Sequence, residues 1–142
     1  MTAELRLTDA PDPALRTVLG DGLDRHNHAA AGYTDSRPLA VVVTDAAGVT
    51  LGGLSGRTSL GMCFFDLVYL PESLRGQDVG TRMKAMVEAE ALARGCRSVV
   101  LFTISFQAPG FYEKLGYVRF GEIACDPPNT TRMFLSKTIR DE

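Results

Sequence analysis

A glycine-bearing polar segment lies where the hydrophobic pattern of the chain changes from that of a strand to that of a helix. It runs Arg75-Gly76-Gln77-Asp78-Val79-Gly80-Thr81, after an apolar run that ends at Leu70 and at the start of an amphipathic run. The first backbone N–H groups of a helix have no intrahelical partner and carry the positive end of its dipole. The junction is therefore predicted to hold a pyrophosphate, which Gly80 allows to approach closely.

This segment differs from the two commonest phosphate-binding loops. No Lys followed by Ser or Thr closes it, as a nucleotide triphosphatase requires, and the sequence contains no Gly-x-Gly-x-x-Gly. A different phosphate carrier is therefore predicted.

A second motif follows further along the chain, Gln107-Ala108-Pro109-Gly110-Phe111-Tyr112-Glu113-Lys114-Leu115-Gly116-Tyr117. Together the two segments closely resemble the GNAT superfamily of N-acetyltransferases. That family's acetyl-CoA loop is Arg/Gln-x-x-Gly-x-Gly/Ala, and its next signature is Ala-x-x-Phe-Tyr-x-x-x-Gly-Phe/Tyr. The resemblance is strong over residues 64–120, with one departure: Asp78 stands where the family usually has the first glycine of the loop.

The resemblance implies a fold and a donor site. It implies one α/β domain over residues 1–142, with a mixed, mostly antiparallel central sheet flanked by helices and with splayed central strands that hold acetyl-CoA. The backbone of Val68 and Leu70 would lie beside the pantetheine arm and thioester, and Ser105 occupies the position of an asparagine that bonds the pantetheine in many relatives. The residues implied to bind acetyl-CoA are Val68, Leu70, Arg75, Gly76, Gln77, Asp78, Val79, Gly80, Thr81, Ser105 and Phe111.

The resemblance also places Tyr112 where the family has its general acid, near the cofactor sulfur. A phenol of pKa about 10 can protonate a departing thiolate of pKa about 8.5, and a fall in the phenol pKa would reduce the mismatch. The alternative is a half-buried ring packed on the sheet. For the base, Asp66 is a charge inside an apolar run, so it is predicted to be the proton acceptor or, equally, the partner of Arg57 in an ion pair. Glu122 is a weaker second candidate.

Asp78 has three interpretations. Its carboxylate points to solvent and binding survives, it weakens binding by repelling the pyrophosphate, or the site no longer uses acetyl-CoA. The first is favoured because the rest of the match is intact. If the backbone has a positive φ there, Asp is among the less-penalised replacements for glycine.

Composition limits the class of protein. A chain of 142 residues with 45% hydrophobic residues and a net charge of −2 is typical of one globular domain and lacks the basic excess of nucleic-acid-binding proteins. Cys63, Cys96 and Cys125 form no Cys-x-x-Cys pair, which predicts neither disulfides nor a zinc site, and no signal peptide or membrane span is predicted. A cytoplasmic protein is expected, with a homodimer as one possible assembly.

Periodicity and turn residues predict the elements. Along the helix predicted from Val79, Val79, Met83, Met86, Val87 and Ala91 share the apolar face, whereas the i,i+4 pairs Lys84–Glu88 and Glu90–Arg94 face solvent. The predicted order is a strand at 4–8, a helical stretch at 13–31 broken into two helices at Gly20 and Gly22 and ended by Gly32, a hairpin at 39–45 and 49–55, a strand at 62–70 buried on both faces, a helix from Val79 closed by Gly95, a strand at 98–103, a short helix at 108–115, and strands at 117–123 and 131–137.

These observations predict a cytoplasmic N-acetyltransferase in which the acceptor amine attacks acetyl-CoA directly, without an acyl-enzyme. A small-molecule amine is favoured as acceptor, and Arg57, Tyr33 and Asp35 are candidates for its pocket. The early helix residues His26, Asn27 and His28 are interpreted as surface or acceptor-pocket residues. The two histidines are a poor metal pair because they face different sides of a helix. Two alternatives stay open: a non-catalytic acyl-CoA-sensing module and a protein N-acetyltransferase.

Overall fold

The structure is a computed structural model that describes residues 2–140, in which the chain forms two units. The first unit ends at Thr34 and the second starts at Asp35. The helices are α1 (Pro13–Ala31), α2 (Val79–Ala93) and α3 (Pro109–Lys114), and the strands are β1 (Arg37–Thr44), β2 (Thr50–Ser59), β3 (Met62–Tyr69), β4 (Ser98–Ile104), β5 (Val118–Cys125) and β6 (Thr130–Thr138), with a 3₁₀ turn over Glu72–Leu74.

The first unit contains α1, whose two ends are as predicted. Asp12 caps the helix by accepting a hydrogen bond from the N–H of Ala14 at 2.9 Å, and Pro13 occupies the first turn, where its missing N–H is not needed. Gly32 ends the helix in the left-handed conformation, with φ of 86°, and donates its N–H to the carbonyl of His28.

Two predictions for the first unit are wrong. Gly20 and Gly22 do not break α1, which continues through both. A glycine costs a helix only about 1 kcal/mol relative to alanine, and α1 has 19 residues and strong caps at both ends. Residues 4–8 form no strand, because alternation of polar and apolar residues is not sufficient without a ladder of hydrogen bonds to a neighbouring strand.

The second unit is built on a six-stranded sheet with the order β1-β2-β3-β4-β6-β5. The single parallel pairing is β3 with β4, and the other neighbours are antiparallel. Mixed, mostly antiparallel pairing is therefore confirmed. The predicted hairpin is β1 and β2, whose turn is held by Asp45 Oδ1, which accepts from the N–H groups of Ala47 and Val49.

The core of the second unit lies between one face of the sheet and the helix α2. Met83, Val87 and Ala91 of α2 are buried there, as predicted from their shared apolar face. Met86 was predicted on the same face but is 61% exposed, so that assignment is wrong. The buried apolar side chains of the cluster are Leu54, Cys63, Phe65, Met83, Val87, Ala91, Cys96, Val99, Leu101, Tyr112, Tyr117 and Leu135.

Strand β3 parts from β4 halfway along its length. It pairs with β2 from Met62 to Tyr69 but with β4 only as far as Phe64. The pairing with β2 also shifts at Asp66, because Phe65 and Leu67 oppose consecutive residues of β2 and leave Asp66 as a bulge. The prediction that residues 62–70 are buried on both faces is wrong. In the first half Cys63 and Phe65 are buried but Met62 and Phe64, on the other face, are only half-buried, and the residues from Asp66 to Tyr69, where β4 no longer lies beside the strand, are exposed.

Gly56 makes the bulge possible. It lies opposite Phe65, and the Cβ of any other residue there would clash with the carbonyl oxygen of Phe64. The two backbones approach this closely only because glycine has no side chain.

We expect Gly56→Ala to lower the free energy of unfolding by about 1–3 kcal/mol, because the backbone of β2 or β3 must move to admit the methyl group. Urea denaturation would measure it. The matched control is Gly110→Ala in α3, where an added Cβ meets no atom within 4 Å. Equal stability of Gly56→Ala and wild type would show that the bulge does not depend on this glycine.

Candidate active site

The segment between β3 and α2 folds back on itself through side-chain to backbone hydrogen bonds. Arg75 Nε donates to the carbonyl of Leu70 at 3.2 Å, and Gln77 Nε2 donates to the carbonyl of Ser73 at 2.8 Å. Gly76 has a φ of 78°, a conformation in which glycine carries no steric penalty. These contacts stabilise the loop that connects the end of β3 to the start of α2.

Asp78 is the N-cap residue of α2 and has a left-handed backbone, with φ of 64°. It is exposed, and its side chain makes no capping hydrogen bond, so no side chain covers the first N–H groups of the helix from that position. The positive φ explains why glycine would suit this position. The exposed side chain favours the interpretation in which the carboxylate points to solvent.

Three residues predicted to bind the donor meet at one point. A Cβ on Gly80 would lie 3.1 Å from Phe111 Cζ and 3.5 Å from Leu70 Cδ1. Gly80 therefore lets α3 and the end of β3 approach the first turn of α2. This close contact is with the ring of Phe111, and the predicted approach of a pyrophosphate to Gly80 stays a prediction.

Tyr112 follows Phe111 on α3 and is 8% exposed. Its ring packs edge to face on Phe111 and on Tyr117, with centroid separations of 5.4 and 5.8 Å. Burial raises the pKa of Tyr112 to about 12, so no fall in the phenol pKa reduces its mismatch with the thiolate. The hydroxyl keeps its proton throughout the neutral range and accepts a hydrogen bond from Lys84 Nζ at 3.4 Å.

Lys84 is the residue that the sequence analysis missed. It was predicted to face solvent, but it is 1% exposed, with Nζ 4.7 Å from the ring centre of Phe65 and 4.6 Å from that of Tyr112. Burial lowers the pKa of Lys84 to about 8, an effect that the charge of Glu88 opposes. The sequence contained a signal for this burial. Lys84 lies three residues before Val87 and seven before Ala91, so it shares their face of α2.

The predicted Lys84–Glu88 surface pair is therefore wrong, because Glu88 has other partners. Its carboxylate accepts from the hydroxyl of Tyr117 at 3.0 Å and forms an ion pair with Lys137 at 2.7 Å. Burial, followed by the charge and hydrogen bond of Glu88, raises the pKa of Tyr117. This network ties α2 to the segment before β5 and to β6.

The second predicted pair, Glu90–Arg94, is present at 2.8 Å. Arg94 nevertheless turns inward, since its side chain is 12% exposed and Nη1 donates to the carbonyl of Pro38 and to Thr58 Oγ1, each at 3.1 Å. The solvent-facing placement of Arg94 is therefore wrong, and the residue joins the end of α2 to β1 and β2.

A cleft of about 250 Å³ opens where β3 parts from β4. At this cleft, Arg57 Nη1 and Asp66 Oδ1 form an ion pair at 2.9 Å, with side chains 43% and 42% exposed, and the guanidinium also lies 4.4 Å from the ring centre of Phe64. Asp66 therefore forms the ion pair with Arg57 that was predicted as one alternative, and the role of Asp66 as the base stays a prediction. The lining residues are Arg57, Phe64, Phe65, Asp66, Val100, Leu101, Phe102 and Phe134.

Ser105, Glu122 and Asp35 lie in the second unit, whereas Tyr33, His26, Asn27 and His28 belong to the first. Ser105, just beyond β4, uses its hydroxyl oxygen to accept from the N–H of Thr131 at 3.1 Å, which leaves its O–H and one lone pair for the predicted contact with acetyl-CoA. Glu122 lies 3.4 Å from Arg119 in a surface ion pair. Asp35 does not line the β3–β4 cleft; it accepts from the N–H of Leu60 and lines a different cavity at the other end of β2.

Cys63 and Cys96 do not provide a nucleophile. Cys63 and Cys96 are buried free thiols, and burial raises the pKa of both, to about 11 for Cys63. A thiol protonated at neutral pH is a poor nucleophile. Among residues 2–140, no three His, Cys, Asp or Glu side chains cluster as a metal site would need, and no helix is long and apolar enough to cross a membrane.

Comparison with known proteins adds independent findings. Residues 5–117 match the model of the Acetyltransferase (GNAT) family. The chain is 32% identical over 117 residues to acetyltransferase Atu2258 of Agrobacterium fabrum, covering 82% of this chain and 85% of the relative. It is also 36% identical over 109 residues to blasticidin-S acetyltransferase of Streptomyces morookaense, covering 74% and 80%.

Solved structures share the fold. A crystal structure from Agrobacterium tumefaciens has a TM-score of 0.85 and 29% identity, covering 96% of this chain and 99% of that chain. An aminoglycoside 6'-N-acetyltransferase complexed with coenzyme A has a TM-score of 0.65 and 20% identity, covering 95% and 96%. The second likeness concerns the fold alone.

Proposed function

The chain belongs to the GNAT acetyltransferase family, and on that premise we propose that it transfers the acetyl group of acetyl-CoA to a primary amine of a small molecule. In this proposal the amine attacks the thioester directly, and no acyl-enzyme forms. The raised pKa of Cys63 and Cys96 supports a direct route, because neither thiol is ionised at neutral pH.

One observation carries the proposal: the end of β3, the first turn of α2 and the start of α3 converge at Leu70, Gly80 and Phe111. Three features adjoin these residues: the edge of β3 beyond Phe64, the start of α2, where Asp78 makes no capping hydrogen bond, and Tyr112, which follows Phe111. These are the three parts that acetyl transfer needs, namely a groove for the pantetheine, a cradle for the pyrophosphate and a proton donor for the thiolate.

The residues of the chain divide the work. The backbone of Val68 and Leu70 would hold the extended arm along the open edge of β3, as an added strand is held. Arg75 and the N–H groups at the start of α2 would hold the pyrophosphate. Tyr112, which keeps its proton because its pKa is raised to about 12, would protonate the departing thiolate.

The acceptor side is proposed to be the cleft between β3 and β4. Asp66 would take the proton of the amine, directly or through water, from its position beside Arg57. Partial exposure leaves the carboxylate reachable from solvent. A relative that is 36% identical is named a blasticidin-S acetyltransferase, which supports an antibiotic-like amine as the first acceptor to test.

Two alternatives give different results in one experiment. Acetyl-CoA would be incubated with a panel of small amines that includes blasticidin S, and with amino-terminal peptides, while release of free thiol is followed. Thiol release with a small amine supports the proposal. Release with peptides alone supports a protein N-acetyltransferase, and binding without release supports an acyl-CoA sensor.

Acetyl-CoA should raise the melting temperature of the protein by mass action on the folded state, and Arg75→Glu should reduce that rise by placing a negative charge near the phosphates. Thermal melts at increasing acetyl-CoA concentration would measure it. Arg37→Glu is the matched control, since Arg37 pairs with Thr58 at the opposite end of the sheet from Leu70. If millimolar acetyl-CoA does not raise the melting temperature of the wild type, the donor assignment is refuted.

Tyr112→Phe should leave acetyl-CoA affinity nearly unchanged and lower kcat by about 100-fold, because the proton donor is lost only from the transition state. The variant should also be less stable by about 1–3 kcal/mol, since Lys84 loses its hydrogen bond in the core. Steady-state kinetics and urea denaturation separate the two effects. If the stability falls while kcat stays at the wild-type value, Tyr112 serves packing alone.

Asp78→Gly should tighten acetyl-CoA binding for two reasons. It removes a carboxylate near the pyrophosphate, and it removes the steric strain of a side chain on a backbone with φ of 64°. The gain should shrink with salt if repulsion is the cause, and persist if the backbone is the cause. Dissociation constants of both forms at low and high ionic strength would distinguish these causes. Weaker binding by the glycine variant would contradict both.

A further inference from the structure

Lys84 brings an amino group into the core directly behind the proposed acid. Its Nζ lies 3.4 Å from the hydroxyl oxygen of Tyr112, and this is the one hydrogen bond found for it among residues 2–140. Aromatic rings surround the rest of the group, with centres at 4.6 Å for Tyr112, 4.7 Å for Phe65 and 5.9 Å for Phe111. At 1% exposure the group has no direct path to solvent.

The hydrogen bond has a fixed direction. An ammonium carries three donors and no acceptor, so Lys84 must donate and Tyr112 must accept. The phenolic proton of Tyr112 is therefore free to point at another acceptor. Glu88, one turn along α2, does not take the ammonium as a partner, because its carboxylate is bound by Tyr117 and Lys137.

We propose that Lys84 is a positioning residue for Tyr112, which orients the phenol and returns a proton to it as Tyr112 protonates the departing thiolate. This inference rests on the proposed function, in which Tyr112 is the acid.

The proton transfers balance. The O–H bond of Tyr112 breaks as the S–H bond of the free thiol forms, and an N–H bond of Lys84 breaks as a new O–H bond forms on Tyr112. The electron pair of the broken N–H bond stays on Nζ, so the negative thiolate and the positive ammonium are neutralised together. After the products leave, water returns a proton to Lys84 through the same hydroxyl.

Acidity agrees with this path. Burial lowers the pKa of Lys84 to about 8 and raises that of Tyr112 to about 12. A thiol has an ordinary pKa of about 8.5. The ammonium is thus matched to the thiolate, whereas the phenol alone is the weaker acid by several pH units.

The predicted fall of kcat near pH 8 is assigned to Lys84 and not to the groups packed around it. Facing it are Tyr112 of α3 and Glu88 of α2, and Glu88 carries Tyr117 and Lys137 as partners. Cys63 on β3 interacts with the same Glu88, and its pKa is raised to about 11. Neither Cys63 nor Tyr112 ionises near pH 8.

The test compares wild type with Lys84→Met and Lys84→Gln. Methionine fills similar space without a charge, and glutamine keeps an N–H donor for Tyr112 but has no proton to transfer. The value of kcat would be measured between pH ~6 and ~10, with acetyl-CoA and the amine of the panel that gives the fastest thiol release.

In wild type, kcat should fall about tenfold per pH unit above pH ~8, as Lys84 loses its proton. Both variants should have kcat at least about tenfold lower at pH ~7 and no such fall near pH 8. Wild-type kcat in Lys84→Gln would reduce Lys84 to a hydrogen-bond donor and overturn the proton path. A fall near pH 8 that persists in both variants would also overturn it.

Two controls keep the test decisive. Lys84→Met should melt at or above the wild-type temperature, since it removes a desolvated charge; if it does not fold, wild type and Lys84→Gln decide the question. Absence of any acetyl-CoA effect on melting in wild type refutes the proposed function. Normal wild-type turnover with unchanged Lys84 variants refutes this inference alone.

Discussion

The separation of β3 from β4 after Phe64 is the constraint on which the rest of the second unit depends. Up to Phe64 the two strands form the parallel pair in the middle of the sheet, and beyond it β3 continues with β2 alone. The bulge at Asp66, permitted by Gly56, bends the strand at the same place. One local irregularity thereby opens a cleft and directs Leu70 towards the start of α2.

The proposed donor site is continuous with the hydrophobic core. Tyr112 and Phe65 belong to the buried cluster, and Phe111 and Leu70 pack against it. Lys84 enters this cluster as a charged group, and the same burial that lowers its pKa raises that of Tyr112. Low polarity disfavours the charged form of each, so it lowers the pKa of the amine and raises that of the phenol. Changes to packing here are therefore also changes to acid–base chemistry.

The proposed acceptor side is more exposed than the proposed donor site. Arg57 and Asp66 form a half-exposed pair at the rim of an aromatic cleft, and exposed pairs of this kind contribute little to stability. In the proposed function the pair serves the chemistry of the cleft. Selectivity among amines would then come from the shape of the aromatic wall, which includes Phe64, Phe102 and Phe134.

The sequence by itself determined most of the local elements, but it also predicted a strand at 4–8 and a break in α1 that the structure does not contain. Capping and turn residues such as Asp12, Gly32 and Asp45 mark the ends of α1 and the hairpin, and the periodicity change after Leu70 marks the start of α2. These signals act over a few residues, so a pattern contains them in full. The motif pair likewise identified Leu70, Gly80 and Phe111, which the structure brings into contact.

Only the tertiary structure decided which side of an element is covered and which groups become partners. The second half of β3 contains three apolar side chains, Leu67, Val68 and Tyr69, yet all three are exposed where β4 no longer lies beside the strand. Lysine is a residue type usually found at the surface. The long apolar stem of Lys84 nevertheless packs in the core, because aromatic rings and a hydroxyl contact its ammonium there. Burial is set by neighbours distant in sequence, and a local pattern does not contain those neighbours.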